Sequence, residues 1–377
     1  MPLQRHNRFP RPLERVAAAI LALGLAVASV PLVITAHRAG AAIPCLRAGI
    51  RHPLQSPDRA TDVAPMARAA GSEIVVRTIA LVVFTLLLLS GPRIAYAHGV
   101  VGDYMFLEPL VAEDPTPANE LDIVQPAWNR AADGRTFSIG SSIEKILGAD
   151  GEGLPRFSVG GGSAWIYRSP NQGRDAQGFD DLNLFAKYAF LIVPEHDFLM
   201  SFALQMQIPA GNPGVEAQQH TSLGPELLWE KALGDLPNLP YLKYLRPLGF
   251  QGDVGYLPAL GGHTSHQLFA DQAVEYSLQY LSNNVQDIGL IAPLRNLFLF
   301  TEFNYSQLVK GPPGETFPNL VATPGIAYVG YRFELSVGTQ LALNNASVPG
   351  THAAVLGLLD IFYDSIIPQG NWKLFGN

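Results

Sequence analysis

The sequence predicts an all-β protein, a transmembrane antiparallel up-and-down β-barrel of about 12 strands that follows an N-terminal signal and unstructured segment. Three observations predict it. Short segments that alternate apolar and polar residues recur along most of the chain, an export signal precedes them, and the same region shows no long amphipathic helical pattern.

The segment Phe198–Ile208, FLMSFALQMQI, shows the alternation most clearly. Large apolar residues occupy its even positions, and its odd positions after Leu199 carry serine, alanine and glutamine. A period of two is that of a β-strand. The solvent face of a water-soluble sandwich carries many charges, and this polar face carries few. We therefore expect the apolar face to contact lipid and the polar face to line a lumen, with a periplasmic β-sandwich or lipocalin-like fold as the alternative.

Eleven segments have this strand pattern, each bounded by Gly, Pro or polar residues. In chain order they are Thr136–Leu147, Arg156–Arg168, Leu182–Ile192, Phe198–Ile208, Leu223–Lys231, Leu248–Tyr256, Val274–Leu281, Leu297–Tyr305, Leu320–Val329, Arg332–Leu343 and Ala354–Phe362. Bacterial single-chain barrels use even strand numbers, so we expect a twelfth strand at Leu121–Trp128 or within Gln251–Asp271.

The connections between these segments alternate in length. VPEHD (Val193–Asp197) predicts a tight turn, whereas Pro209–Leu223, Pro258–Asp271 and Lys310–Asn319 are longer and rich in Gly, Pro and polar residues. Leu236–Pro247 is too rich in proline for more than one helical turn. Short periplasmic turns and long extracellular loops are typical of outer-membrane barrels. Aromatic residues are expected at the two membrane interfaces: Phe198, Trp229, Tyr276, Tyr280, Phe303 and Tyr305.

Charge is unevenly distributed along the 377 residues. Residues 1–97 carry eleven arginines, no lysine and four acids, whereas the remainder holds 14 basic and 28 acidic residues. An acidic body disfavours nucleic-acid binding, which needs clustered Lys and Arg. Cys45 is the single cysteine, so no disulfide can form within one chain. Because Pro44 precedes it, a lipoprotein cysteine is not expected.

Residues 66–97 have the three parts of a signal peptide. Arg77 supplies the positive start, Ile79–Leu89 the apolar stretch, and Ala95–Ala97 the small-x-small cleavage site. The apolar stretch is shorter than the roughly 20 residues that span a bilayer. We expect cleavage after Ala97, with an uncleaved anchor as the alternative, and residues 98–377 as the barrel.

Residues 1–65 are expected to be an upstream extension outside the mature protein. Val16–Ala36 is long enough to cross a membrane, so a genuine inner-membrane helix is one interpretation. The favoured one is that translation starts at Met66, because the residues upstream are rich in arginine and scattered proline without any pattern.

Strand parity assigns ten charged residues to the lumen. They are Glu144, Glu226, Glu230, Glu275, Glu302, Glu334, Arg156, Arg168, Lys187 and Arg332. One hypothesis is a net-acidic constriction that favours cations or repels anions. The favoured alternative is a ladder of ion pairs that fills a narrow barrel, since buried charges must be paired. Gly160–Gly162 would let another segment, such as the N-terminal residues, approach the wall, or would form a simple bulge.

The sequence holds weak candidates for metal or catalytic chemistry. His98, as the mature N-terminus, would offer an amine and an imidazole to copper, and would need a second histidine from a loop. The loop GGHTSH (Gly261–His266) has two histidines three residues apart, which is weak metal-ligand spacing on a loop. Ser265 lies beside these histidines, as in a serine hydrolase, but we interpret this arrangement as a coincidence of the loop's composition. No phosphate-binding loop, dinucleotide fingerprint or zinc-protease motif occurs. We therefore expect neither an enzyme nor a cofactor.

A family resemblance rests on three stretches: YMFLEPLVAEDPTPANELDIVQP, LNLFAKYAFLIVPEHDFLMSFALQMQIPAG and LRPLGFQGDVGY. They resemble uncharacterised Gram-negative outer-membrane barrels, similar to the putative transporters linked with meta-pathway phenol degradation. The resemblance covers most of residues 98–377 and implies passage of small hydrophobic or aromatic molecules. The chain departs from many such barrels in ending LFGN, with Phe375 two residues before the terminus.

The function expected is a passive channel or uptake barrel for small molecules in the outer membrane of a Gram-negative bacterium. Its expected partners are outer-membrane lipid, the barrel-assembly machinery and a small-molecule solute. The alternatives are an outer-membrane enzyme or copper-binding barrel that uses His98, and a structural barrel with a plugged lumen.

Overall fold

The fold is a closed antiparallel β-barrel of 12 strands. A computed structural model describes residues 100–149, 155–215, 217, 220–261, 266–310, 318–345, 347 and 353–363. Residues 66–97, expected to be a signal peptide, the expected upstream extension 1–65, and His98 lie outside the described residues. The strands are β3 (Glu120–Arg130), β4 (Gly134–Ala149), β5 (Pro155–Pro170), β7 (Leu182–Val193), β8 (Phe198–Ile208), β9 (Ser222–Ala232), β10 (Leu248–Pro258), β11 (His266–Ser277), β12 (Leu297–Lys310), β13 (Asn319–Val329), β14 (Phe333–Ala342) and β15 (Ala353–Phe362).

Each strand pairs with its neighbours in the sequence, and β15 pairs with β3 to close the ring. The twelfth strand is β3, which confirms the expected strand near Leu121–Trp128. Three shorter strands complete the sheets. β1 (Val100–Val101) and β2 (Tyr104–Met105) form a hairpin, and β6 (Ala176–Phe179) extends the pairing of β5.

The side-chain register of β8 shows which face is the outside. Ser201 and Ala203 are fully buried, whereas Phe202 and Leu204 are 46% and 44% exposed. Large apolar side chains are also exposed on other strands, among them Ile143, Tyr188, Phe303 and Val337. A soluble fold would bury these groups. The barrel instead has an apolar outer face and a polar interior, as the alternation predicts.

The two ends of the barrel differ. At the end that carries the β1–β2 hairpin, the connections are residues 150–154, 194–197, 233–247, 278–296 and 330–332, and we call it the hairpin end. At the opposite end, the loop end, the connections are residues 131–133, 171–181, 209–221, 259–265, 311–318 and 343–352. Short helical turns occupy parts of these connections: Pro194–His196, Pro213–Val215, Leu242–Leu245, Leu278–Tyr280, Leu281–Val285 and Ala292–Arg295. No helix among the described residues is long and apolar enough to cross a membrane.

Three expectations for β11 and its neighbouring residues are wrong. The strand expected at Val274–Leu281 ends at Ser277, whose hydroxyl accepts a hydrogen bond from the Tyr280 backbone N–H and caps a helical turn. Tyr280 is therefore buried at the hairpin end rather than facing lipid. Strand β11 begins at His266, so the loop expected to reach Asp271 is shorter.

Arg332 also differs from its expected lumenal position. It lies one residue before β14, in the connection from β13, and its side chain is exposed. Its guanidinium lies over the ring of Tyr331, 5.5 Å from the centroid. The alternation of apolar and polar residues continues without interruption from this turn into β14. The alternation alone therefore does not show that the strand begins only at Phe333.

Candidate functional site

The barrel interior holds an N-terminal segment of the chain, residues 106–119, which we call the lumenal segment. The β1–β2 hairpin that precedes it docks at the hairpin end. There the Asp103 N–H donates to the Asp197 carboxylate at 3.1 Å, and the Tyr104 hydroxyl donates to the Pro247 carbonyl at 2.9 Å. Tyr104 and Phe106 are fully buried and their ring centroids are 4.8 Å apart. These contacts fix the point at which the chain enters the barrel.

Glutamates of the barrel wall bind the first part of the lumenal segment by its backbone. Glu302 accepts the N–H groups of Leu110, Val111 and Ala112 at 2.7, 2.9 and 3.3 Å. Glu275 accepts the N–H of Leu107 at 3.2 Å. Glu334 accepts the N–H of Glu108, also at 3.2 Å. All three glutamates are buried. Each bond gives a buried carboxyl oxygen a donor within the protein, which offsets part of the free energy of removing that oxygen from water.

The second part of the segment is held in the same way and returns to the hairpin end. The Glu113 N–H donates to Asp253 at 3.1 Å, and the Thr116 hydroxyl donates to Glu230 at 2.7 Å. The Ala118 N–H donates to Glu144 at 3.0 Å. Strand β3 then starts at Glu120. The segment thus forms a loop that enters and leaves at one end.

Lys187 is the one buried base among the described residues. Its ammonium lies 3.0 Å from the Glu144 carboxylate and 3.2 Å from that of Glu113, and donates to the Asp114 carbonyl at 2.5 Å. One lysine therefore joins a wall glutamate to two residues of the lumenal segment. Its charge is compensated within the protein, as burial of an ammonium requires.

The remaining charges expected in the lumen have separate surroundings. Glu226 is buried and accepts a hydrogen bond from the Gln205 amide at 2.6 Å. Arg156 donates to the Ala189 carbonyl at 3.2 Å. Arg168 lies at the loop end, where it pairs with Asp133 at 2.6 Å. The structure thus gathers six glutamates and Lys187 inside the barrel and separates Arg168 and Arg332 from them.

A cavity of about 360 Å³ remains beside the lumenal segment. Residues 108–113 form one wall, and β3, β4, β5 and β7 form the other. Gly161 and Gly162 border it in regular pairing with β4. The ring of Phe185 lies where a side chain at Gly160 would be, so this ring, and not the N-terminal residues, uses the space beside that glycine.

Three carboxylates that could hold a metal ion meet inside the barrel, two from the lumenal segment and one from the first residue of β3. Oxygens of Glu108, Asp114 and Glu120 lie within 4.8 Å of one another. Each of these residues also takes part in other interactions within the protein, so the cluster alone does not define a metal site. The copper hypothesis for His98 concerns a residue outside those described. His266 is hydrogen-bonded to the Tyr256 hydroxyl at 2.7 Å, and His263 and Ser265 lie outside the described residues.

Sequence reasoning missed two parts of this site. Asp253 stands in the weak, glycine-rich strand QGDVGY, where it keeps the inward parity of Gln251, and both are buried. That parity could have found it. The lumenal segment has no period, and nothing in its own sequence marks it as the content of a barrel.

No family model matches the chain, and no curated protein matches it. Solved structures do. An outer-membrane channel from Pseudomonas putida F1 is 10% identical, with a TM-score of 0.47, over 68% of this chain and 99% of that one. CdiB from Acinetobacter baumannii is 12% identical, with a TM-score of 0.30, over 64% and 60%. Both scores are below 0.5, so the fold assignment rests on the strand pairing of this chain itself.

Proposed function

We propose that the protein is an outer-membrane channel for small molecules that is closed at its hairpin end by its own lumenal segment. The observation that carries this proposal is the combination of an apolar outer face with a polar bore, part of which the lumenal segment fills. An apolar outer face serves a barrel in lipid, and a lumen lined with charged groups serves passage of solutes.

The membrane location is supported by the strand geometry. Strands of about ten residues cross a bilayer when tilted, and a closed ring leaves no backbone polar group unpaired in hydrocarbon. The expected export signal at 66–97 fits the outer membrane of a Gram-negative bacterium. We place the hairpin end in the periplasm, because an exported barrel enters the outer membrane from that side and both the start of β3 and the end of β15 lie at this end.

The way in which the segment is bound suits a removable closure. Most of the contacts described above join wall carboxylates to backbone N–H groups, and none is covalent. When the segment leaves, water can solvate both the carboxylates and the N–H groups, so the net free energy of each bond is far below its gross strength. Departure would expose an acidic bore, which favours cations and neutral solutes over anions.

The size and lining of the cavity support one class of solute for this proposal. A volume of about 360 Å³ accommodates a small molecule. Acidic residues, including Glu113 and Asp122, line it together with Phe185, Leu110 and Val111. Neutral or cationic small molecules with an apolar or aromatic part match this lining. The resemblance to transporters linked with meta-pathway phenol degradation implies small hydrophobic or aromatic molecules, which agrees with the apolar part of this class.

Planar-bilayer conductance of Glu302→Gln tests the proposal. A glutamine presents one acceptor oxygen and an NH₂ group to three N–H donors, so the variant should hold the lumenal segment less firmly. We expect an open probability at least tenfold above that of the wild type and a reversal potential that indicates cation preference. Glu195→Gln, in an exposed turn, is the control and should behave as the wild type. Closed Glu302→Gln protein that is inserted in the membrane would contradict the proposal.

A structural barrel with a permanently plugged lumen is the second candidate. It is favoured by the number of wall residues that bind the segment, which include Glu275, Glu302, Glu334, Asp253 and Glu144. If both the wild type and Glu302→Gln insert and neither conducts ions nor admits small solutes into vesicles, this second candidate is correct.

A further inference from the structure

Two arginines face outward side by side at the loop end of the barrel. Arg130 ends β3, Arg135 is the second residue of β4, and the two are direct partners in the antiparallel register. Both are exposed. Like charges directly opposite each other destabilise an antiparallel pair. An anion that binds both guanidinium groups would reverse that effect, and phosphate suits paired arginines because each can bind it with two parallel N–H groups.

Among the residues that the structure describes, the carboxylates nearest to this pair in the fold are bound elsewhere. Asp133, in the turn between the two strands, pairs with Arg168 at 2.6 Å. Asp175 accepts hydrogen bonds from the Tyr167 hydroxyl at 2.5 Å and the Ser169 hydroxyl at 2.9 Å. Within the part of the chain that the structure describes, no carboxylate lies within 4 Å of either Arg130 or Arg135.

An aromatic patch lies directly below the arginines on the same outer face. Trp128 and Phe137 are register partners one step further into the barrel wall, 40% and 36% exposed. Tyr167 pairs with Phe137 on the next strand. On the other side, Val355 pairs with Trp128 and is 43% exposed. Outer-membrane barrels carry a ring of aromatic residues at each membrane interface, where tyrosine and tryptophan lie at the level of the lipid headgroups and contact hydrocarbon on one side.

We propose that Arg130 and Arg135 bind a phosphate group of an outer-leaflet lipid whose acyl chains lie along Trp128, Phe137 and the apolar residues below. The proposal rests on the proposed function for the membrane location and for the loop end as the outer end. Basic residues at a membrane surface attract anionic headgroups, and the outer leaflet of a Gram-negative outer membrane is built from a phosphorylated glycolipid. The lipid therefore supplies the negative charge that the arginines lack and an apolar partner for the aromatic patch.

Lipid binding to the full chain in detergent micelles tests this proposal. The probes are bisphosphorylated lipid A, lipid A with both phosphates removed, and inorganic phosphate, each followed by native mass spectrometry and titration. The double variant Arg130→Gln/Arg135→Gln should lose at least tenfold in affinity for bisphosphorylated lipid A. Arg174→Gln, an exposed arginine in the neighbouring loop, should change it less than twofold. The dephosphorylated lipid should bind the wild type and the double variant alike.

Each other outcome overturns the proposal. An equal loss in Arg174→Gln would mean diffuse attraction at the loop end rather than a site. Inorganic phosphate that binds as tightly as the lipid would mean a site for the free anion. Unchanged binding in the double variant would mean that the arginines do not contact the headgroup.

Three further measurements keep the outcome interpretable. Arg130→Lys/Arg135→Lys keeps the charge but not the paired N–H geometry, and should lose more than threefold in affinity even if the glutamine variant does not fold. In lipid-free detergent the glutamine variant should be more stable to heat than the wild type, and less stable when bisphosphorylated lipid A is present. Conductance of the lysine variant should equal that of the wild type, so failure of lipid binding and failure of channel function are distinguishable.

Discussion

Lys187 carries the positive charge at the centre of the acidic site. Its ammonium contacts Glu144 and Glu113 and is fully buried. Lys187→Met should lower the free energy of unfolding by about 3–5 kcal/mol, because it leaves buried carboxylates without their partner. Urea unfolding in vesicles, followed by gel mobility, measures this. Lys243→Met, in the connection between β9 and β10, is the control. A loss no larger than that of the control would mean that the segment is not held through this lysine.

Asp197 gives a pH dependence at the hairpin end, outside the membrane-spanning strands. Burial raises the pKa of its carboxyl above the usual value of 3.8. Protonation therefore favours the folded state, so this stabilisation is complete below pH 3.8 and is lost as the pH rises through the raised pKa. Asparagine is neutral at every pH, can accept the Asp103 N–H and tolerates the left-handed backbone at φ 44°.

Because protonation of Asp197 stabilises the folded state, the stability of Asp197→Asn relative to the wild type should depend on pH. Its melting temperature minus that of the wild type should increase between about pH 4 and pH 7, since only the wild type then buries a charge. Thermal melts across this range measure it, with Glu195→Gln in the same turn as control. A difference that stays constant with pH would contradict the role assigned to Asp197.

At the scale of elements, the β1–β2 hairpin positions the lumenal segment. Gly102 has φ +67°, and a Cβ there would lie 2.2 Å from the Pro194 carbonyl oxygen. Gly102→Ala should therefore undock the hairpin and speed hydrogen exchange in residues 101–119 at least tenfold, because it adds a backbone clash to the left-handed strain.

Gly289 offers a matched control for that experiment. It has φ +74°, and a Cβ there would meet nothing within 4 Å. Gly289→Ala carries the strain without the clash, so exchange in residues 101–119 should stay as in the wild type. Equal exchange rates in both variants would mean that the docking of Gly102 does not hold the lumenal segment.

The strands could be predicted from the sequence because their pattern is local. The expected strand Phe198–Ile208 coincides with β8, and parity placed Glu302 and Lys187 inside the barrel. The lumenal segment could not be predicted, because its partners are remote: Leu107 binds Glu275, 168 residues away, and Glu108 binds Glu334, 226 residues away. The prediction that Arg332 faces the lumen was wrong, because the alternation of apolar and polar residues continues beyond the end of the strand. The turn, and not the alternation, determines where β14 begins.

At the scale of the whole molecule, two linked properties are expected of β8 and of the other strands with the same alternation. Their large side chains contact lipid, and their small side chains face a bore that the lumenal segment fills in its hairpin half. An open channel would keep the first property and lose the second, and a soluble sandwich would lose the first.

Spin-label accessibility along β8 tests both statements at once. Single cysteines at residues 200, 202 and 204 and at residues 199, 201 and 203, in a Cys45→Ser background, carry the label in vesicles. Oxygen, which dissolves in lipid, should relax the even positions strongly, and a water-soluble nickel complex should not. The odd positions should be protected from both reagents. Odd positions open to the nickel complex, or even positions protected from oxygen, would contradict the account.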